Sequence, residues 1–135
     1  MPQRVVCDAS ALVMVLLDAG EGGTWVAKRL AGAELFTPAL LPFECANIIR
    51  RLELGGLISA DQAAQAHADL LELPVELWPY EALAGRAWQL RSNATIYDAA
   101  YVALAEAIGA PLVTADRRLQ RAPGVSCAVE TPPAR

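Results

Sequence analysis

The stretch RVVCDASALVMVLL, residues 4–17, joins a short β-branched run directly to a helical pattern. Residues 4–7 predict a buried strand that ends at Asp8, and residues 10–17 predict the helix that follows it. The glycine-rich sequence GEGG at 20–23 predicts a break after this helix. Because a strand that leads into a helix is a building block of α/β proteins, the order of the remaining elements decides the fold class.

The remainder of the chain repeats this alternation of strands and helices. Strands that alternate with helices predict an α/β fold with a central parallel β-sheet flanked by helices on both faces. A length of 135 residues is that of one domain, which we predict to span residues 1–130, with a short C-terminal tail at 131–135. In such sheets, ligands bind beyond the carboxyl ends of the strands. Periodicity and the positions of Gly and Pro predict further strands at 34–38, 75–78, 111–116 and 125–129, helices at 24–31, 42–54, 59–73, 80–91 and 97–108, and a short helix up to Arg121.

Composition narrows the cellular setting and the class of partner. Hydrophobic residues make up 55% of the chain, a surplus that indicates apolar surface covered by a partner. The net charge of −4 gives no long-range attraction to nucleic acid, although a local Arg cluster can still bind it. The three cysteines are widely spaced, which favours neither a disulfide framework nor a zinc site. The apolar run at 11–17 is too short to cross a membrane and Asp8 interrupts any signal peptide, so we expect a cytoplasmic protein without a membrane partner.

Four acidic residues stand out because each lies within or directly after an otherwise apolar element. Asp8 and Asp116 follow predicted strands, whereas Glu44 and Asp98 lie in early turns of predicted helices. Each one alone has an ordinary interpretation as a helix cap or a turn residue. Together they offer oxygen ligands to a hard cation such as Mg²⁺ or Mn²⁺, which can polarise a phosphoryl oxygen and activate a water molecule. We therefore predict that the four converge at one edge of the sheet as catalytic and metal-binding carboxylates.

Polar and basic residues near these acids are candidates for supporting roles. Asn47 lies one helical turn after Glu44, and it could hydrogen-bond a carboxylate or a metal-bound water. Ser10 and Thr114 are suited to the same role, although they fit equally well as cap and strand-end residues. Five arginines could bind RNA phosphates through bidentate contacts, although a solvated helix face explains each of them alone. These arginines are Arg50, Arg51, Arg117, Arg118 and Arg121.

Two other α/β families fit the sequence poorly. A signalling receiver domain requires a phospho-accepting Asp after a middle strand and a Lys late in the chain. The middle strands here end at Pro38 and Pro79, and Lys28 comes too early. A nucleotide-binding fold requires a glycine-rich loop after the first strand, where this chain has DASA.

Four motifs, VVCDASALV, PFECANIIRR, IYDAAYVALA and LVTADRRL, resemble in order and spacing the motif series of PIN-domain proteins. More narrowly, they resemble the VapC-type toxins of bacterial toxin–antitoxin pairs, over residues 5–119. The resemblance implies a Mg²⁺- or Mn²⁺-dependent endoribonuclease whose metal is held by the four acids named above. It also implies a homodimer and a cognate antitoxin whose C-terminal segment wraps the toxin and blocks the site. Which RNA is cut varies within the family, so the resemblance does not predict the substrate.

The sequence leaves two alternatives open. The chain could be a catalytically silent PIN-like module that binds RNA or protein, although the presence of all four acids argues against this. The segments SALVMVLL (10–17) and TWVAKRLA (24–31) carry more apolar residues than one core face needs. They could form a groove for an antitoxin helix or serve only as core packing.

Overall fold

The computed structural model describes residues 2–134, and within them strands and helices alternate throughout. The first half contains β1 (Arg4–Cys7), α1 (Ala9–Leu17), α2 (Glu21–Leu30), β2 (Glu34–Pro38), α3 (Leu41–Leu54) and α4 (Ala60–Glu72). The second half contains β3 (Val75–Trp78), a 3₁₀ turn (Tyr80–Ala82), α5 (Ala84–Gln89), α6 (Ile96–Ile108), β4 (Leu112–Val113), a second 3₁₀ turn (Arg117–Arg121) and β5 (Val129–Glu130).

The strands form one parallel sheet in the order β3-β2-β1-β4-β5. The chain steps from β1 to β2 to β3 in one direction and then returns to place β4 on the other side of β1. Because parallel crossovers are right-handed, α1–α4 cover one face of the sheet, and α5 and α6 cover the other. The packing agrees, since α1 contacts α2 and α3, whereas α6 packs on β1, β2 and α5. The predicted fold class is therefore confirmed, and the strand order reverses between β1 and β4.

The core lies between the sheet and these two helical layers. Residues 5–7 of β1 are fully buried, as expected of a central parallel strand. Helix α6 is buried along the seven consecutive residues 99–105, so most of its circumference contacts other elements. Gly109 ends this helix with a left-handed backbone conformation, φ 66°. The close seating of α6 fixes the position of the side chains in its first turn.

The beginning of α2 differs from the prediction. The predicted break at 20–23 is too long, because Gly20 precedes the helix whereas Gly22 and Gly23 lie inside its first turn. A Cβ atom at Gly23 would lie 1.9 Å from the backbone oxygen of Asp18. Glycine is therefore needed here for the close approach of α2 to the end of α1.

Other boundaries are shorter than predicted. The predicted helix at 80–91 is a 3₁₀ turn followed by the short α5, and the last two strands each contain two residues. The predicted tail has neither helix nor strand from Thr131 to Ala134, while Arg135 and Met1 lie outside the described residues. No helix between residues 2 and 134 has the length and apolar character needed to span a membrane.

Candidate active site

The four predicted acids lie around the point where the strand order reverses. Asp8 directly follows β1, and Asp116 follows the neighbouring strand β4. Glu44 and Asp98 lie in the first turns of α3 and α6. Because the strands are parallel, their carboxyl ends and the starts of the following helices meet at one edge of the sheet. The structure brings all four acids together in one cavity of about 140 Å³, lined by Asp8, Ala9, Ser10, Glu44, Ile48, Asp98, Tyr101 and Asp116.

Asp8 is buried, and both of its carboxylate oxygens accept hydrogen bonds. Oδ1 accepts from Ser10 Oγ at 2.7 Å and from the backbone N–H of Ala11 at 3.0 Å, and Oδ2 accepts from Thr114 Oγ1. The bond from Ala11 makes Asp8 the N-cap of α1, so the residue caps a helix and lines the cavity at once. The Thr114 hydroxyl also accepts from the backbone N–H of Asp116 at 2.9 Å. The predicted supporting residues Ser10 and Thr114 thus contact the carboxylate directly.

Glu44 is oriented by Tyr101, a residue that the sequence analysis did not identify. The Tyr101 hydroxyl donates to Glu44 Oε1 at 2.7 Å, and Tyr101 is almost fully buried. Tyr101 lies three residues after Asp98, so both side chains are on one face of α6. This spacing is the sequence feature from which a role for Tyr101 beside the acids could have been predicted. Asn47 is exposed and lies outside the cavity lining, because Ile48 occupies the position one turn after Glu44 that faces the cavity.

Burial and mutual repulsion raise the pKa of three of the four carboxyl groups. Burial is the main cause at Asp8, Glu44 and Asp98. The charge of Asp98 adds to the increase at Asp8 and Glu44, and the charge of Asp116 adds to the increase at Asp98. The pKa of Asp116 is lowered instead, because the Arg118 guanidinium hydrogen-bonds its carboxylate. Within residues 2–134, Arg118 is the one basic side chain that forms an ion pair with any of these acids.

The donor set of the cavity is that of a hard cation. Its polar lining consists of carboxylates and hydroxyl groups, without His or Cys, which suits Mg²⁺ or Mn²⁺ better than Zn²⁺. A cation would also offset the repulsion between the carboxylates. No three Asp, Glu, His or Cys side chains in the described part of the chain already surround one ion position. The residues therefore fit a divalent ion by the chemistry of their oxygen ligands.

The five candidate arginines differ in their surroundings. Arg118 contacts Asp116, whereas Arg117 donates from Nη2 to the carbonyl oxygen of Pro132. The guanidinium of Arg117 is therefore bound to the C-terminal segment rather than directed to the cavity. The other three are exposed and do not line the cavity: Arg50, Arg51 and Arg121.

The PIN domain family model matches residues 5–125, a range that contains all four acids and nearly the whole sheet. The chain belongs to the PIN domain family. The resemblance seen in the sequence motifs is thereby confirmed.

Relatives of this PIN-domain protein are VapC ribonucleases. Ribonuclease VapC12 of Mycobacterium tuberculosis is 40% identical over 126 residues, which cover 93% of this chain and 97% of that protein. Ribonuclease VapC1 of Mycobacterium tuberculosis is 41% identical over 128 residues, which cover 93% and 95%. At this identity and coverage, the chain is a VapC-type PIN-domain protein.

Solved structures show the same fold. The crystal structure of VapBC-5 from Mycobacterium tuberculosis, a member of the VapBC family of toxin–antitoxin systems, matches with a TM-score of 0.60 and 20% identity. The match covers 98% of this chain and 100% of that chain. The likeness shows that the sheet and its helical layers have the arrangement found in that structure.

Proposed function

We propose that this protein is a metal-dependent endoribonuclease that hydrolyses RNA phosphodiester bonds and acts as the toxin of a toxin–antitoxin pair. The observation that carries the proposal is the cavity, in which four carboxylates meet where the strand order reverses. The reaction class is supported by the relatives, which are named ribonucleases and are about 40% identical. The cavity alone does not specify RNA, because carboxylate sets at strand ends serve several reactions.

The cavity residues would hold Mg²⁺ or Mn²⁺ and keep its ligands in position. Bound there, the ion would polarise a phosphoryl oxygen and lower the pKa of an attacking water. The hydroxyls of Ser10 and Thr114 fix the orientation of the Asp8 carboxylate. Tyr101 restricts the rotation of Glu44 in the same way. Ligands that are already oriented need little reorganisation when charge develops on the scissile phosphate.

We propose a cognate antitoxin and a second copy of this chain as protein partners in the cytoplasm. Aromatic side chains next to two of the acids are exposed, since Phe43 precedes Glu44 and is 79% exposed, and Tyr97 precedes Asp98 and is 63% exposed. Exposed aromatic residues are enriched at protein interfaces. An antitoxin segment that covers the acids, or a second protomer beside them, would bury these rings.

Cleavage assays with one acid neutralised test the proposed enzyme. We expect Asp98→Asn to keep the fold and to lower the rate of RNA cleavage by about 100-fold or more, because the ion would lose a ligand. Asp69→Asn is the matched control, since Asp69 lies on α4 outside the cavity and accepts a hydrogen bond from Gln65 Nε2. EDTA should abolish cleavage by the wild type, and Mg²⁺ or Mn²⁺ should restore it.

Three results would contradict this assignment. Full activity of Asp98→Asn would remove that residue from the mechanism, and full activity in EDTA would exclude metal catalysis. RNA binding without cleavage under any divalent ion would favour a silent binding module. Expression in a bacterium with and without the neighbouring small reading frame, followed by mapping of RNA ends, tests the toxin role.

A further inference from the structure

Arg118 covers the carboxylate of Asp116, one of the four acids of the cavity. Its Nε donates to Oδ1 at 3.0 Å and its Nη2 donates to Oδ2 at 2.7 Å, so the guanidinium engages both oxygens. The backbone N–H of Arg118 also donates to Oδ1 at 3.0 Å, which orients the carboxyl group. A divalent ion that binds Asp116 therefore competes with the guanidinium for the same carboxylate.

This ion pair is one that a divalent ion can replace. The side chain of Arg118 is 89% exposed, whereas that of Asp116 is 25% exposed. The guanidinium makes no hydrogen bond to any other group within residues 2–134. Exposed pairs of this kind are weak, whereas an ion in the cavity attracts several carboxylates at once.

A groove lined by both polar and apolar residues joins Arg118 to the cavity. The groove has a volume of about 240 Å³, and its walls include Asn93, Thr95 and Arg118. Asp98 and Asp116 line both the groove and the acid cavity, so the two spaces meet at these residues. A guanidinium that leaves Asp116 therefore remains at the wall of a groove that leads to the acids. Its planar fork of donors matches a phosphate group in two hydrogen bonds.

The charge of this edge opposes RNA when no metal is bound. The chain has a net charge of −4, and the cavity concentrates four acids. Arg118 is the basic residue among those that line the groove, and its guanidinium is occupied by Asp116. Metal binding would offset the negative charge and release a phosphate-binding group in the same step.

We propose that Arg118 exchanges partners when metal binds. It holds Asp116 in the metal-free protein, a divalent cation displaces it, and its guanidinium then binds an RNA phosphate in the groove. The inference rests on the proposed function. It adds Arg118 as the residue that couples the binding of the metal ion to the binding of RNA. Because coupling is reciprocal, RNA binding strengthens metal binding by the same factor.

Titration calorimetry with Mn²⁺ alone tests the first half of the exchange. We expect Arg118→Gln to bind Mn²⁺ about two- to fivefold more tightly than the wild type, because its competitor for Asp116 is gone. Arg117→Gln is the matched control, since it removes the same charge from the adjacent residue, whose guanidinium binds the Pro132 carbonyl. Its Mn²⁺ affinity should stay close to that of the wild type.

Fluorescence anisotropy of a labelled oligouridylate tests the second half of the exchange, in which the released guanidinium binds RNA. Ca²⁺ is used in place of the catalytic ion. Metal-free wild type and Arg118→Gln should bind this RNA alike, because Arg118 is then occupied by Asp116. Saturating Ca²⁺ should strengthen RNA binding by the wild type more than by Arg118→Gln. The dependence of log affinity on log salt should also be shallower in this variant by about 0.7, the value for one phosphate contact on a single strand.

The outcomes separate this inference from the proposed function. Equal Mn²⁺ affinity of the wild type and Arg118→Gln would overturn the exchange. An equal loss of RNA affinity with and without Ca²⁺ would also overturn it, because Arg118 would then bind RNA independently of metal. If the wild type nevertheless cleaves RNA with Mg²⁺ or Mn²⁺, the proposed function stands. If it neither binds a divalent ion nor cleaves RNA, both fail.

Discussion

Converting Glu106 to an amide should remove a measurable part of the stability of the fold. Its carboxylate accepts from Arg86 Nε at 2.6 Å, from Arg86 Nη2 at 3.2 Å, and from the backbone N–H and Oγ of Ser126 at 3.0 and 2.7 Å. Arg86 also donates to the carbonyl oxygen of Gly124 at 2.6 Å. These bonds join α5, α6 and the segment before β5. They lower the pKa of Glu106 from 4.5 to about 2, chiefly through the hydrogen bond from Arg86.

The size of the effect follows from this pKa. A carboxyl group with a pKa near 2 in the folded state and 4.5 in the unfolded state contributes at most about 3 kcal/mol at neutral pH. The Arg86 side chain is 36% exposed, so solvent screening reduces the contribution to about 1–2 kcal/mol. Because the folded pKa is the lower one, this stability is present above the unfolded pKa and is lost as the pH falls toward about 2. Glu106→Gln should therefore lower the free energy of unfolding by about 1–2 kcal/mol at neutral pH, with a smaller difference in acid.

Urea unfolding followed by tryptophan fluorescence measures this difference at neutral pH and at a series of lower pH values. Glu81→Gln is the matched control, because it removes the same charge from an exposed side chain. A loss at neutral pH no larger than that of the control would refute the reasoning. A difference from the wild type that stays constant as the pH falls through the pKa of Glu106 would refute it as well.

Two further predictions concern a close backbone contact and a buried hydroxyl. Gly23→Ala should destabilise the protein by about 2–3 kcal/mol in thermal unfolding, because the added Cβ would lie 1.9 Å from the Asp18 carbonyl oxygen. Gly85→Ala should instead stabilise the helix by about 0.5 kcal/mol, because nothing lies within 4 Å of the added atom. Equal effects of the two substitutions on stability would contradict the packing argument. Tyr101→Phe should slow RNA cleavage about tenfold with little change in melting temperature, because Glu44 loses the donor that orients it. An unchanged cleavage rate would show that this hydrogen bond does not serve catalysis.

The positions of the four acids could be predicted from the sequence because they depend on the strands and helices next to them. Asp8 and Asp116 were predicted at one sheet edge because they follow buried strands, and parallel strands end on the same side. Glu44 and Asp98 were predicted beside them from their positions at the starts of apolar helices. The structure brings these four residues to a common cavity, and their roles in metal binding stay a prediction.

Features that depend on distant parts of the chain were not predictable in the same way. The sequence predicted a loop at Gly22 and Gly23. In the structure both glycines lie in α2, where they allow this helix to approach the end of α1 closely. The strand predicted at 125–129 is shortened because the N–H and hydroxyl of Ser126 are bound by Glu106. Arg117 donates a hydrogen bond to the carbonyl oxygen of Pro132, and no local sequence pattern predicts this contact.

The central strand β1 is translated before the two strands that pair with it. Asp8 is translated 106 residues before Thr114, whose hydroxyl bonds it, and β1 lies between two neighbours that both emerge later. Until the later segments emerge, Asp8 has neither the hydroxyl of Thr114 nor the other three acids of the cavity beside it. For a protein proposed to cut RNA, the acid cavity is therefore incomplete until Asp116 has been translated.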